Sequence, residues 1–425
     1  MNVRRRMCRR GSITVFLAVV FACFITVSAV LFAAAKSAAG RSMADASLQL
    51  AGRSVLSEYD TRLLSDYGLL AFRGDEARIE DAIGYYADAS LAPKDPLYLL
   101  FRSGGARTVA QNERCENISV NLKEYSLLDL DNFEAQIRSA ALSNVAGNLL
   151  GGGDGGNGGG AAESEGRTLR SSAVIASLPS NGFQGPLFPS LGDLSDIPAM
   201  DDVMQEGTAL FAASEYALSV FGSRVDGAKE DHFFSNEIEY LIAGKHSDSA
   251  NYNSIKLRLT AMRFALNNAA LLADSRKTAT ITEIALAAAA VSAETLYEPI
   301  YWGIVEAWAS AETRNDILLL EHGEKVALIK TPAQWATQNP KEIWEGWTSD
   351  SPVYAANPSG QAYRDYLRIM LYILDRETKY LRMMDLMQIN LKGTYRGDFL
   401  MREHYVGFRF SCTVDGDGYA YTEEY

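Results

Sequence analysis

The chain reads as an α+β protein, mainly helical, whose N-terminal transmembrane helix continues as a stem into an exported body with a small antiparallel sheet. Three observations point there. Residues 12–35 carry no charged side chain and follow Arg4, Arg5, Arg6, Arg9 and Arg10. Apolar residues recur at three- and four-residue spacing over most of the remaining chain. The final stretch has a different texture: Tyr405 to Tyr421 is rich in aromatic and β-branched residues around Asp415-Gly416-Asp417-Gly418.

A helix over residues 12–35, at about 1.5 Å per residue, reaches roughly 36 Å, enough to cross a hydrocarbon core of about 30 Å with some tilt. The arginine excess predicts a cytoplasmic N-terminus (residues 1–11) and a body outside the membrane. Lys36 is placed to snorkel toward the outer headgroups. A cleaved secretory signal shares this charge order, and Ala33-Ala34-Ala35 and Ala38-Ala39-Gly40 offer small residues for cleavage. The apolar core of such a signal runs roughly 7–15 residues, shorter than this one. A retained anchor is therefore expected, with membrane lipid as its partner along residues 12–35. Ala18, Ala22, Ser28 and Ala29 are the small residues through which such helices approach one another.

Charge narrows the function classes. The net charge is −13, yet six of the 40 basic side chains and none of the 53 acidic ones lie in residues 1–36, so the body is more acidic still. Nucleic acid is excluded as a partner, since phosphate binding needs a basic footprint. An acidic body is equally unsuited to lying flat on anionic lipid. A hydrophobic content of 48%, with 21 Tyr and 17 Phe, rules out a wholly disordered stalk. Of four cysteines, Cys8 is on the cytosolic side and Cys23 within the span, leaving Cys115 and Cys412 as the candidate disulfide. Two reduced, buried thiols are the alternative.

Between residues 36 and 146 a stem helix leads into a first α/β part. Met43, Ala46, Leu50, Val55, Leu56, Tyr59, Leu63 and Leu64 follow helical spacing, predicting a helix that breaks near Asp66-Tyr67-Gly68. A second helix is expected over Glu76 to Ala89, closed by Pro93 and Pro96, then a half-buried strand over 115–128 and a helix over 129–150. Residues 147–198 read as a flexible Gly/Pro-rich linker or loop around a glycine run at 151–160. Residues 199–399 form a mainly helical body. In it Leu257, Ala261, Phe264, Ala265 and Leu272 share a face that Leu259, Met262 and Leu266 widen, so this helix is expected to be central to the core. Residues 318–330 resemble a small hairpin around His322-Gly323. Ala362 to about Ile389 reads as one long helix with Tyr363, Tyr366, Leu367, Met370, Leu371 and Leu374 inward. Residues 400–425 close the chain as a β-hairpin, whose pairing with the 115–128 strand would bring Cys115 near Cys412.

No residue set names a reaction. His232, His246, His322 and His404 form no HExxH pair and show no zinc spacing with cysteine. Gly244-Lys245-His246-Ser247 lacks the pattern of a phosphate loop, and no GxSxG elbow is present. Asp415 and Asp417 resemble the start of a calcium loop without its closing glutamate. Asp129 and Asp131 are better suited to capping the following helix. Trp302, Trp308, Trp335, Trp344 and Trp347 suit either a core or a ligand groove. No cofactor, metal or catalytic residue is expected. The reading is a non-enzymatic envelope protein, with two alternatives kept open: a cell-wall hydrolase built on scattered carboxylates, and an extracellular ligand- or carbohydrate-binding body.

Arg9-Arg10-Gly11-Ser12-Ile13-Thr14-Val15-Phe16-Leu17 resembles the N-termini of TadE- and TadG-type minor pseudopilins of tight-adherence (Flp) pili. That resemblance implies a processing junction between Gly11 and Ser12, with Flp/Tad pilus-assembly proteins as partners. The chain departs from the pattern in passing from Val15 to Phe16 where those proteins carry Glu, so the helix is expected to stay uncut. Over nearly its whole length it also resembles an uncharacterised family of Gram-positive, largely clostridial, single-anchor proteins found with such pilus genes. The matching pieces include Ser54-Val55-Leu56-Ser57-Glu58-Tyr59-Asp60, Glu239-Tyr240-Leu241-Ile242-Ala243-Gly244-Lys245, Tyr363-Arg364-Asp365-Tyr366-Leu367 and Met384-Asp385-Leu386-Met387-Gln388-Ile389-Asn390. The resemblance implies location and genetic company, and no activity.

Overall fold

With no charge between Ser12 and Ala35 and no proline before Pro93, nothing interrupts the first helix. In a computed structural model of the chain it runs Arg10–Leu56, 47 residues, or about 70 Å. The structure describes residues 10–91, 114–150, 167–181, 211–225, 227, 229, 231–292, 296–339, 342–343, 351–353 and 359–425. Arg4 to Arg9, Cys8, Pro93, Pro96, the 151–160 glycine run, the 182–198 part of the expected linker, Trp344 and Trp347 lie outside the described residues. Among those described, the first helix is the one long and apolar enough to cross a membrane. Its large apolar side chains from Ile13 to Phe32 are all at least half exposed. Mainly helical secondary structure with small antiparallel sheets makes the protein α+β.

The described chain divides into two compact units, each drawn from separate stretches. The first comprises residues up to Asp60, Leu70–Ser126 and Glu403–Tyr425. Its strands are β1 (Phe72–Arg73), β2 (Cys115–Asn121), β3 (His404–Tyr405), β4 (Gly407–Val414) and β5 (Asp417–Glu424). They form an antiparallel β1–β3 pair and an antiparallel sheet ordered β2–β4–β5. The β4–β5 hairpin turns at Asp415 and Gly416, both with positive φ (52° and 81°), as a two-residue loop matching strand twist requires. Along β4 the side chains of Phe408, Phe410, Cys412 and Val414 are buried while Arg409 and Ser411 are exposed. Facing residues repeat at every third or fourth position on two helices: Ala44, Leu48, Ala51 and Val55 on the first, and Ile79, Ile83, Ala87 and Leu91 on the Glu76–Leu91 helix.

Small residues let the first helix sit close to the sheet. A Cβ on Gly52 would lie 3.1 Å from Phe410 Cε1 and 2.8 Å from Glu423 Cγ. Hydrogen bonds from Tyr421 Oη to Asp45 and from Tyr425 Oη to the Leu56 carbonyl tie β5 and the chain end to the same helix. The helix stops at Leu56, earlier than its apolar spacing suggests, because Tyr59 bridges to Phe72 and the Asp60 amide donates to the Ala71 carbonyl at 2.8 Å. The next helix, Thr61–Tyr67, ends where expected, at Gly68 with φ +70°.

In the second unit, Thr61–Leu69 with Leu127–Arg402, the regular elements among the described residues are helices, joined by irregular segments such as 231–236 and 322–331. The Asp248–Ala273 helix corrects the expected face. It buries Asn251, Ile255, Leu259, Arg263, Asn267 and Leu271, whereas Leu257 is 62% exposed and Ala261 and Ala265 also point outward. The inward stripe is polar because a buried ion network claims it. Arg263 Nε and Nη2 reach Asp316 Oδ2 at 3.0 and 2.8 Å, and Nη1 donates to the Ala327 and Leu328 carbonyls. Lys330 Nζ bonds both Asp316 and Glu312, and Glu312 accepts from the Ala336 and Thr337 amides. The network holds residues 326–337 against the Asp248–Ala273 and Tyr297–Glu321 helices.

Two further expectations change. Leu318 to Glu321 belong to the Tyr297–Glu321 helix, which ends at His322 and Gly323 (φ +80°) in place of a hairpin. The long helix from Ala362 is two, Tyr363–Ile373 and Arg376–Thr394. Leu374 is extended there, and the Asp375 side chain caps the second helix through the Thr378 amide at 2.8 Å. Removing one partner from a buried ion network leaves an uncompensated charge. Arg263→Met is therefore expected to destabilise the chain by about 3–5 kcal/mol in chemical denaturation, and a change below about 1 kcal/mol would contradict this account.

Candidate functional site

The Glu237–Ala243 helix of the second unit is buried over its whole length, so the acidic residues in its first turn must find partners inside the protein. Glu237 does so completely. Its Oε2 accepts from the Gly222 amide at 2.9 Å and lies 2.7 Å from His232 Nδ1, while Oε1 accepts from Asn390 Nδ2 at 2.7 Å. A carboxylate acceptor fixes the imidazole tautomer: Nδ1 carries the hydrogen and Nε2 is left as the acceptor. Asn390 also donates to Tyr67 Oη at 3.2 Å and accepts from the Phe233 amide, so neither side chain can turn freely.

His232 and Asn390 open on a cavity of about 520 Å³, lined also by Arg62, Asp66, Tyr67, Ser219, Lys229, Asp231 and Thr394. The cavity offers cations, carboxylates, one ring and an oriented imidazole. It does not present an activated nucleophile among the described residues. Ser219 Oγ donates to the Tyr216 carbonyl at 2.7 Å, and Thr394 Oγ1 to the Asn390 carbonyl at 2.9 Å. No cluster of three His, Cys, Asp or Glu among the described residues is arranged to hold a metal ion. The arrangement can bind a polar group and exchange one proton with it.

The carboxyls most perturbed lie outside that cavity. Burial pushes Glu239 up to about 7, although the Arg224 amide and Tyr363 Oη donate to its Oε1; its Oε2 has no partner. Burial likewise pushes Asp385 up to about 6 against donors from the Ser180 amide and Tyr240 Oη.

Other residues singled out in the sequence have structural places. Cys115 and Cys412 are brought together as free thiols: Cys115 stands opposite Val414, two positions along the same face of β4 from Cys412, near enough for each to shift the other's ionisation. The Gly11–Ser12 peptide lies in the first turn of the long helix. Asp417 pairs with Arg41 at 2.7 Å and Asp415 forms the hairpin turn. Asp129 caps the following helix through the Asp131 and Asn132 amides. Trp308 and Trp335 are buried together, Lys277 lying over both rings, and Trp302 is 47% exposed. His404 is buried beside Asp60, and His322 Nδ1 contacts the Leu318 carbonyl at 2.7 Å. The His232–Glu237–Asn390 set was not visible in the sequence, since Asn390 lies 153 positions from Glu237 and no spacing joins them.

Residues 174–416 match a family described as a family of unknown function, DUF5702. No curated protein and no solved structure matches the chain significantly.

Both raised carboxyls hold a proton in the folded chain that the unfolded chain gives up near pH 4. The stability they contribute is complete below that pH and lost as pH rises through about 6 and 7. Between pH 5 and 8 the wild type is expected to lose on the order of 3 kcal/mol relative to Glu239→Gln/Asp385→Asn. Denaturation at the two pH values measures this, and parallel losses in both chains would refute it.

Proposed function

We propose, for a chain that belongs to the DUF5702 family of unknown function, a non-enzymatic role as a single-pass envelope protein: an accessory or pseudopilin-like component of a Flp/Tad-type pilus or secretion apparatus. The N-terminus is cytoplasmic and the acidic body is outside. One observation carries the reading. A single unbroken helix, Arg10–Leu56, is apolar and bare from Ile13 to Phe32 and then becomes the buried spine of a small sheet from Ala44 to Val55. Such a helix couples a membrane segment rigidly to a folded unit, as an assembly component needs. Within lipid, where hydrophobicity no longer favours one helix over another, the small residues Ala18, Ala22, Ser28 and Ala29 supply the lateral contact.

The cavity beside His232 supports a binding role more than a hydrolase. Its aliphatic hydroxyls, Ser219 and Thr394, are committed to backbone carbonyls, and the carboxyls poised near neutrality are elsewhere. In the exported body Cys115 and Cys412 lose two protons and two electrons to an extracytoplasmic thiol oxidant, forming a disulfide that locks β2 to β4. Each thiol shifts the other, Cys115 upward and Cys412 downward, as expected of two sulfurs held side by side. Closing so long a loop stabilises the fold by on the order of 4 kcal/mol.

Two measurements test these statements. Photo-crosslinkers at Ala22 and Ser28, in cells carrying the pilus genes, are expected to trap an identified Flp/Tad assembly subunit, and mass spectrometry to find the arginine-rich start intact. Lipid adducts alone would remove the assembly role. In non-reducing electrophoresis the native chain should migrate faster than Cys115→Ser; equal mobility with both thiols open to alkylation sinks the disulfide.

A further inference from the structure

A helix that buries Arg263 and Asn267 has to place apolar residues elsewhere, and the Asp248–Ala273 helix places them on its outer face. Against the Tyr297–Glu321 helix this face forms a groove of about 470 Å³, walled by Leu257, Ala261, Phe264 and Ile317. Thr260, Ser310 and Thr313 and two cations, Lys256 and Arg314, also line it; no carboxylate is in the lining, the nearest partner of Lys256 being Glu321 at 2.6 Å. That is unusual in a chain whose net charge is −13.

We infer that this groove binds a single-chain anionic amphiphile, its alkyl chain against Leu257, Ala261, Phe264 and Ile317 and its carboxylate or phosphate head at Lys256 and Arg314. Size favours a small molecule over a docked helix or a second chain, since the volume falls in the roughly 300–1,000 Å³ range of small-ligand sites. Charge fixes the sign of the head. The Lys256 ammonium is lowered by burial and then by repulsion from Arg314 and Arg224, while it donates to Glu321 at 2.6 Å. A bound anion beside these cations relieves that repulsion. The apolar wall gives the tail somewhere to leave water, which a purely ionic patch would not. The site lies wholly in the second unit, within residues 174–416, and is independent of the pilus reading.

The test uses the full-length chain in membrane vesicles with a photoactivatable palmitate and the matching uncharged alcohol, read by peptide mass spectrometry. The apolar anchor, residues 13–32, is labelled by both probes and serves as the internal standard. Palmitate is expected to label peptides containing Leu257–Phe264 and Ile317, and Ala261→Trp to cut that labelling at least tenfold against the standard. Lys256→Gln/Arg314→Gln, checked for an unchanged cooperative melt, is expected to cut palmitate labelling about tenfold and leave alcohol labelling unchanged. An unlabelled groove in the wild type, or labelling that survives Ala261→Trp in a chain that still melts cooperatively, overturns the site. Equal loss of both probes in the double glutamine variant overturns the anionic head. A groove that becomes labelled only when the chain is diluted to monomers belongs to a second copy and overturns the proposal as a whole.

Discussion

One helix is apolar on every face over its first half and on one face over its second, and the first unit is organised around that change. Residues 13–32 are long and apolar enough to cross a membrane, and an all-round apolar surface with every backbone group bonded within the helix is what hydrocarbon would require of such a segment. Over residues 40–55 the rule changes to one face only, and that face must be shallow. Ala44, Ala51 and Gly52 keep it so, letting Phe410 and Glu423 approach to distances a larger residue would forbid. Charged residues return in this half as Arg41, Asp45 and Arg53, and two of them tie the helix to the hairpin: Arg41 pairs with Asp417 and Asp45 accepts from Tyr421. The hydrogen bond from Tyr425 to Leu56 fixes the last residue of the chain to the last residue of the helix.

The second unit is held differently. Two cations, Arg263 and Lys330, and two carboxylates, Asp316 and Glu312, are removed from water together, and their remaining lone pairs and protons are met by backbone groups at 327, 328, 336 and 337. Balanced charge with complete hydrogen bonding is the condition under which such a cluster is tolerable at all. Its gain is specificity. A segment of irregular backbone, 326–337, acquires one placement against the helices because only that placement satisfies Glu312 and Arg263. The same logic recurs at Glu237, whose three donors come from a loop, a histidine and a helix far along the chain.

How much of this was legible depended on where the determining partners lay. Local signals read well. The uncharged run marked the first helix, the Asp-Gly repeat marked the β4–β5 turn, and aromatic and β-branched residues marked the last hairpin; the strand expected over 115–128 is shorter, Cys115–Asn121, giving way to a 3-10 turn at Lys123–Tyr125, yet the neighbourhood of Cys115 and Cys412 could be anticipated. Tyr363, Tyr366, Leu367 and Leu371 are buried as their spacing indicates. The misreadings came from long-range polar demands. Leu257 looked like core because apolar residues usually are, but Arg263 and Asn267 take the inward stripe through partners 46 to 103 positions away. The stop at Leu56 comes from bridge pairing to Phe72 and Ala71, which no helical pattern contains. The cavity at His232 is invisible for the same reason, since its geometry is made by Glu237, Asn390 and Tyr67 from three separate helices.

These two lessons meet on the Asp248–Ala273 helix. A helix has only about 3.6 residues per turn, so a stripe committed to buried Asn251, Arg263 and Asn267 fixes what every other stripe can contain. With apolar residues filling much of the sequence between them, Leu257, Ala261 and Ala265 must point away from the network. Had the core been apolar, the natural outer face would have been charged and the groove closed to an alkyl chain. The buried ion network and the exposed apolar groove are therefore one decision seen from opposite sides of a single helix, with specificity of packing inside and an apolar wall, rimmed by Lys256 and Arg314, outside.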